Sequence, residues 1–389
     1  MRVLFASLRN TSHFLPLVPF IEACRRAGHE VAVAAPIDLE DRVAAIGATF
    51  LPVGHPGDEG LRPLWQRMRE VPFEHANRVV VGEIFAGACA RAALPELLQV
   101  TERFAPAIVV RESQEYASVL ASEKLGVPHA RVAIIARSAE AEVFPIAAPV
   151  LDALGQRVGL ASDPGGARLL REPALSLFPA SVDAVGGVLA EAEVARFKTP
   201  RKAAAALPDW WPGQRGALVY LTLGTVTGGF DMMRYTYRVA LDAVGALPIR
   251  VLLTIGQEMP IEELGEVPRN VHVERFVPQD DVLAHVEAVV GHGGSGTTLG
   301  TLAAGVPMVV VPLFADQPFN AERVAAVGAG LAMPPRAATA DGLRSALARV
   351  LSEPEFGVAA RRIAAEMAAL PSIDAAPAVL ERMAAAARR

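Results

Sequence analysis

The opening of the chain constrains its fold more than any other segment. Arg2–Ala6 is a short apolar run that reads as a strand. A helical stretch follows near Pro16–Ala27. In it Leu17, Phe20, Ile21 and Cys24 recur at helical spacing, and its prolines lie in the first turn, where a missing N–H costs nothing. Gly28 marks the stop and Glu30–Ala34 the next strand. Strand, helix and strand in this order make a βαβ unit, which implies a parallel sheet.

The same alternation continues. Ala107–Val110 reads as a strand, Tyr116–Leu125 as a helix and His129–Ile134 as a strand. The pattern weakens between about Arg137 and Gly216. That stretch holds the turn signals Asp163-Pro-Gly-Gly and Leu207-Pro-Asp-Trp-Trp-Pro-Gly213, the second of which reads as a linker. A new series of strand candidates begins at Ala217–Leu223 and runs through Ile249–Ile255, Val271–Arg275, Ala288–Val290 and Val306–Val311. Ala375–Ala387 reads as a closing helix. At roughly 100–200 residues per domain, 389 residues suffice for two. The expected organisation is an α/β chain of two doubly wound domains facing each other across a cleft. An N-terminal domain covers 1–205, a C-terminal domain 216–372, and the closing helix 373–389.

Composition removes several function classes. With 52% hydrophobic and 20% charged residues, the chain is not disordered. A formal net charge of −5 and the lack of a basic tract argue against nucleic acid or an anionic membrane as the main partner. Cys24 and Cys89 sit in no CxxC or Cys/His pattern and read as buried thiols of a reducing compartment. The first residues lack the apolar core of a signal peptide, and Gly291–Ala315 reads as turn, helix and strand, not as a membrane span. The expectation is a cytoplasmic protein with no integral membrane segment. The oligomeric state is open, with a homodimer as the candidate.

In an open parallel sheet, ligands bind outside the carboxyl ends of the strands, so the loops after strands carry the chemistry. The strongest is Gly291-His-Gly-Gly-Ser-Gly-Thr-Thr298, which follows a strand and opens a helix. Its glycines allow close backbone approach, the helix start supplies unpaired N–H groups, and His292, Ser295, Thr297 and Thr298 add donors. A diphosphate suits such a cradle. Gly291-x-Gly293-x-x-Gly296 also matches the dinucleotide-binding pattern, with Asp316 about 20 residues on, but that pattern belongs to a first βα unit. Two more post-strand loops carry His13 and the pair Glu112 and Glu115. A carboxylate on one imidazole nitrogen fixes the tautomer and makes the other nitrogen a general base. No Asp-x-Asp, HExxH or His-rich cluster points to a metal.

From Arg275 to Val324, the text RFVPQDDVL followed by HGGSGTTLGTLAAGVPMVVVPLFADQPFNAERV resembles the donor-binding signature of the GT-B glycosyltransferases that decorate small natural products. The start of the chain through His29 and the segment EKLGVPHA are similar to the same family. The resemblance implies that His292 binds the donor's α-phosphate, and that Gly294, Ser295, Gly296 and Thr297 hold the diphosphate. Gly224 and Thr225 approach the phosphates or the acceptor. Phe276 stacks on the base, the Val277 backbone pairs with the base edge, and Asp316 and Gln317 grip the sugar hydroxyls. His13 matches the catalytic base, with Glu112 or Glu115 where the family normally carries Asp, and with Ser12 where it usually has Gly. Gly300 stands where UDP-sugar enzymes commonly carry a ribose-binding Glu. A deoxyribose has no 2′-OH, so this departure favours a dTDP-sugar, with a deoxysugar in view, over a UDP-sugar.

The resemblance therefore implies an inverting glycosyltransferase that needs no metal and no cofactor beyond its nucleotide-sugar co-substrate. The acceptor is expected to be an apolar small molecule on the N-terminal domain, with Trp65, Met68, Phe73, Phe85 and Phe144 as candidate lining residues. The rival readings are a GT-B sugar-nucleotide epimerase and a catalytically silent nucleotide-sugar-binding partner of another transferase.

Overall fold

The computed structural model describes residues 1–72, 75–224, 231–257, 259–334 and 338–386, with only the backbone at 231–233. The chain divides into two compact units. One comprises Met1–Leu177, Asp183–Lys198 and Leu370–Arg389, and the other Phe178–Val182 and Thr199–Ala369.

The first unit is built on a parallel sheet of β1 (Arg2–Ala6), β2 (Glu30–Ala35), β3 (Thr49–Pro52), β4 (Ile108–Glu112), β5 (His129–Ala133), β6 (Ala174–Ser176) and β7 (Val194–Arg196), in the order β3-β2-β1-β4-β5-β6-β7. The second carries β8 (Leu218–Thr222), β9 (Arg250–Thr254), β10 (Val271–Glu274), β11 (Ala288–Gly291), β12 (Met308–Val310) and β13 (Gly330–Ala332), in the order β10-β9-β8-β11-β12-β13. Helices cover both faces, so β1, β4, β8 and β11 are buried along nearly their whole length and read as continuous apolar runs.

Several expectations shift by a few residues. The first helical stretch is a single turn, Thr11–Phe14, then a 3-10 turn, Leu15–Leu17, and then the helix Val18–Arg26. β4 runs two residues past Val110, so Glu112 ends a strand and does not lie in a loop. The apparently irregular stretch after Arg137 contains the helix Arg137–Arg157. Pro145 and Pro149 lie inside it, and proline's helix-breaking tendency hid it from the pattern. β3, β6, β7 and β13 have only three or four residues each, too few to show a period.

The domain boundaries also differ from 205/216 and 373. The chain passes from one unit to the other at Lys198, and the closing segment belongs with the first unit. The reason is packing. Ile373, Ala376, Pro377, Leu380 and Ala384 are buried, the helix Ala376–Ala386 lies against Val18–Arg26, and Arg26 pairs with Asp374 at 2.5 Å. The stretch Pro354–Ala386 has the length and apolarity of a membrane span. In the fold it breaks into Pro354–Ala369, Ile373–Ala375 and Ala376–Ala386.

Both sheets reverse their strand order at the same place. β1 and β4 are neighbours with Ala6 opposite Arg111, and β8 and β11 are neighbours with Thr222 opposite Gly291. Such a reversal opens a crevice at the carboxyl edge. In the first unit it receives the segments after Ala6 and Glu112, and in the second those after Thr222 and Gly291. The Gly-rich turn follows the fourth strand of its sheet, so it lacks the topological place of a dinucleotide fingerprint.

Candidate active site

In the first unit the reversal point brings His13 and Glu112 together across 99 residues of sequence. His13 Nδ1 lies 2.9 Å from Glu112 Oε1. The Glu112 side chain is fully buried, and its Oε2 accepts from the Gln114 backbone N–H at 2.6 Å. With a carboxylate at Nδ1, that nitrogen carries the proton and Nε2 presents a lone pair. Nε2 has no hydrogen-bond partner among the described residues. The imidazole edge also meets the Phe85 ring, with centroids 5.3 Å apart and planes at 78°.

Glu115 does not share this role. Its Oε1 accepts from the Ala117 N–H at 2.9 Å and its Oε2 from Ser118 N–H at 3.2 Å, so it satisfies the first donors of the helix Ala117–Leu125. Burial raises its pKa above the usual carboxylate range.

Phe85 belongs to a π-helix, Arg78–Cys89, which the periodicity did not reveal. A Cβ on Gly87 would sit 2.9 Å from the carbonyl of Gly82 five residues earlier, so this glycine pair in an apolar run was the available signal. Trp65 and Met68 are half-buried on the helix Gly57–Glu70, against a cluster containing Leu8, Leu61, Val79 and Ile84 that also takes in Phe85. Phe144 lines nothing. It is fully buried, with Arg131 over its ring at 5.4 Å and Tyr116 edge-on at 6.5 Å, and it is a core residue. Phe73 lies outside the described residues.

The second unit places a glycine-rich turn and a helix start at its own reversal point. Cβ atoms built on Gly224 and Gly294 would stand 2.9 and 2.4 Å from His292 Nε2, so both glycines keep that nitrogen clear. Gly224 has φ +91 and Gly293 φ +87, which favour glycine, and a Cβ on Gly293 would strike Val310 Cγ1 at 2.6 Å. A Cβ on Gly296 would meet nothing within 4 Å. Ser295 opens the helix Ser295–Ala303 and donates from Oγ to Asp316 Oδ2 at 2.6 Å. Thr297 lies in its first turn. Gln317 accepts at Oε1 from the Leu313 and Phe314 N–H groups at 2.8 and 3.1 Å, which ties down the loop containing Ala315 at φ +56. Thr225 lies outside the described residues.

Asn320 was not singled out from the sequence, yet it ties this site together. Its Nδ2 donates to Gly293 O at 2.7 Å, Asp316 Oδ2 at 2.9 Å and Ser295 Oγ at 3.2 Å. The signal was its place four residues after Asp316, on the same helix face. Phe276 is 59% exposed just beyond β10, and Val277 follows it. A Cβ on Gly300 would lie 1.9 Å from Gln279 Nε2, so the Gln279 side chain occupies the space that a larger residue at 300 would need.

Burial lowers the His292 pKa from 6.5 to about 4. The imidazole is therefore neutral near pH 7 and has one N–H to donate without carrying charge. Unfolding takes up a proton between these two values, so this residue makes stability rise with pH from about 4 to 6.5. H292Q is expected to flatten that part of the stability-versus-pH curve, measured as the thermal midpoint across the window. An unchanged slope would show that His292 is not held neutral.

Two doubly wound α/β units, the first with a histidine on a buried carboxylate at its reversal point and the second with a glycine-lined turn opening a helix, have the fold of the GT-B glycosyltransferases. Residues 238–383 match the C-terminal domain of the erythromycin biosynthesis protein CIII-like family. The chain is 33% identical to L-demethylnoviosyl transferase of Streptomyces niveus over 100% of its length and 99% of the relative's. It is 30% identical to tylactone mycaminosyltransferase of Streptomyces fradiae over 99% and 93%. The crystal structure of glycosyltransferase VinC in complex with dTDP superposes with a TM-score of 0.76 at 27% identity, over 99% of this chain and 100% of that one. The chain belongs to the antibiotic glycosyltransferases, and it is an enzyme that uses a nucleotide-sugar donor and a small-molecule acceptor.

Proposed function

We propose that the enzyme moves a sugar from a dTDP-sugar to a hydroxyl of an apolar natural-product aglycone, with inversion and without a metal. The observation that carries this reading is the 2.9 Å contact between His13 Nδ1 and the buried Glu112 carboxylate. Nε2 takes the proton of the acceptor hydroxyl while its oxygen bonds to the anomeric carbon. The bond from that carbon to the diphosphate oxygen breaks, and dTDP leaves with the electron pair. Glu112 stabilises the imidazolium. An α-linked donor then yields a β-linked product.

The departing diphosphate is met by His292, by Ser295 and Thr297, and by the positive end of the helix Ser295–Ala303. These donors support chemistry without a metal or other cofactor. Asp316 and Gln317 are the sugar ligands in this reading, and Phe276 and Val277 hold the base. Two observations support dTDP over UDP: Gly300 bears no carboxylate for a ribose 2′-OH, and VinC was solved with dTDP. A deoxysugar accords with the mycaminosyl and demethylnoviosyl groups in the relatives' names. Phe85, whose ring meets the His13 imidazole, and Trp65 and Met68, packed in the same cluster as Phe85, are proposed to receive the aglycone. The buried, unpaired thiols Cys24 and Cys89 fit a cytoplasmic enzyme.

Calorimetric titration with dTDP and with UDP, in buffer containing a chelator, tests the donor half. The expected result is tighter binding of dTDP, unaffected by the chelator. Tighter UDP binding would overturn the argument from Gly300. Binding that appears only with added divalent metal would overturn the metal-free cradle.

A further inference from the structure

Buried charges need an explanation, and the first unit holds an unusual set. Arg111 on β4 and Arg131 on β5 are neighbours in register, and both side chains are fully buried. Each has its own acid. Arg131 pairs with Glu140 at 2.9 Å, and Arg111 pairs with Glu172 through Nε, at 3.1 Å from each carboxylate oxygen, and through Nη2, at 2.5 Å from Oε2. Glu172 also accepts from His129 Nδ1 at 2.7 Å. Burial opposes the charge on Glu172, but Arg111 and His129 outweigh it and bring its pKa to about 2.

An ion pair of this kind is weak evidence for stability, because desolvation offsets the attraction. What distinguishes Arg111 is the use of its remaining nitrogen. Nη1 donates to the backbone carbonyls of Ser113, Glu115 and Glu112, at 2.8, 3.0 and 3.2 Å. Three carbonyls of one turn therefore converge on one cation. That turn presents the Gln114 N–H that grips Glu112 Oε2 at 2.6 Å, and Glu112 Oε1 in turn faces His13. A lysine has one compact charge with no planar fork and cannot hold a carboxylate and three carbonyls at once.

We propose that Arg111, aimed by Glu172, is a positioning residue for the base: it fixes the turn that orients the Glu112 carboxylate toward His13. The inference rests on His13 acting as the base. Glu172 reaches the site from the segment before β6, so a residue 60 positions away from Glu112 sets the geometry of the pair.

The test is a double-mutant cycle of R111K and E112Q, read as kcat and KM with an aglycone that the wild type glycosylates. R111K is expected to lower kcat about 10- to 100-fold, the scale of a misplacement of about 1 Å, while donor KM and dTDP affinity stay unchanged. In the E112Q background R111K is expected to cost less than about threefold, because the group it positions is already disabled. The same loss in both backgrounds, or an unchanged kcat, would overturn the proposal, since a purely structural role would not depend on Glu112. If R111K does not fold, R111M/E172M removes both buried charges together and is read in the same cycle. Full kcat in that variant would also overturn the proposal. H13A separates the two levels. If H13A keeps its rate, the base reading fails. If H13A is inactive while R111K is not impaired, only the positioning role fails.

Discussion

Replacing His13 with Gln lowers kcat for transfer by about 10²- to 10⁴-fold, the usual contribution of a general base, and leaves dTDP affinity unchanged. Glutamine keeps a polar side chain at the position but offers no nitrogen lone pair of comparable basicity. The proposed diphosphate site comprises Gly224, His292 and the turn Gly293–Thr297, all within the second unit, so it should not register the change. The residual rate measures what positioning and leaving-group stabilisation achieve alone. Steady-state kinetics with a fixed donor, together with calorimetry for dTDP, check both halves. A rate within threefold of wild type would mean that the acceptor proton leaves by another route.

Gly294→Ala is expected to weaken dTDP binding about 10- to 100-fold, the value of a lost hydrogen bond to a charged group, with little change in thermal stability. Gly294 has φ −61 and ψ 142, a conformation that alanine adopts without strain. The added methyl would nevertheless lie 2.4 Å from His292 Nε2, so the imidazole must turn away. Backbone and core are spared while one donor is lost, which makes calorimetry of dTDP beside a thermal melt a clean reading. Unchanged affinity would remove His292 from the phosphate site. A large loss of stability would show that Gly294 serves packing.

The two constellations, one in each unit, differ in how far the sequence reveals them. The cradle is nearly contiguous: the turn, the helix start and the Asp316-Gln317 pair lie within one βαβ stretch, where spacing reports geometry. His13 and Glu112 are separated by 99 residues, and both Glu112 and Glu115 fit the local text. Strand register decided between them. Glu112 is the last residue of β4, whose preceding residue lies opposite Ala6 of β1, whereas Glu115 has turned into the start of a helix. The sequence held no local signal for Arg111 and Glu172, since a buried arginine and a solvated one read alike until a partner closes on them.

By itself, then, the sequence determined the alternation of strands and helices, the two α/β domains and the glycine cradle, because each depends on contacts between residues near one another along the chain. The tertiary structure alone decided that Glu112 faces His13, that Phe144 is core while Phe85 meets the imidazole, and that the C-terminal segment packs with the first unit. Those outcomes depend on hydrogen bonds and burial between distant segments, which the local pattern of residues does not encode.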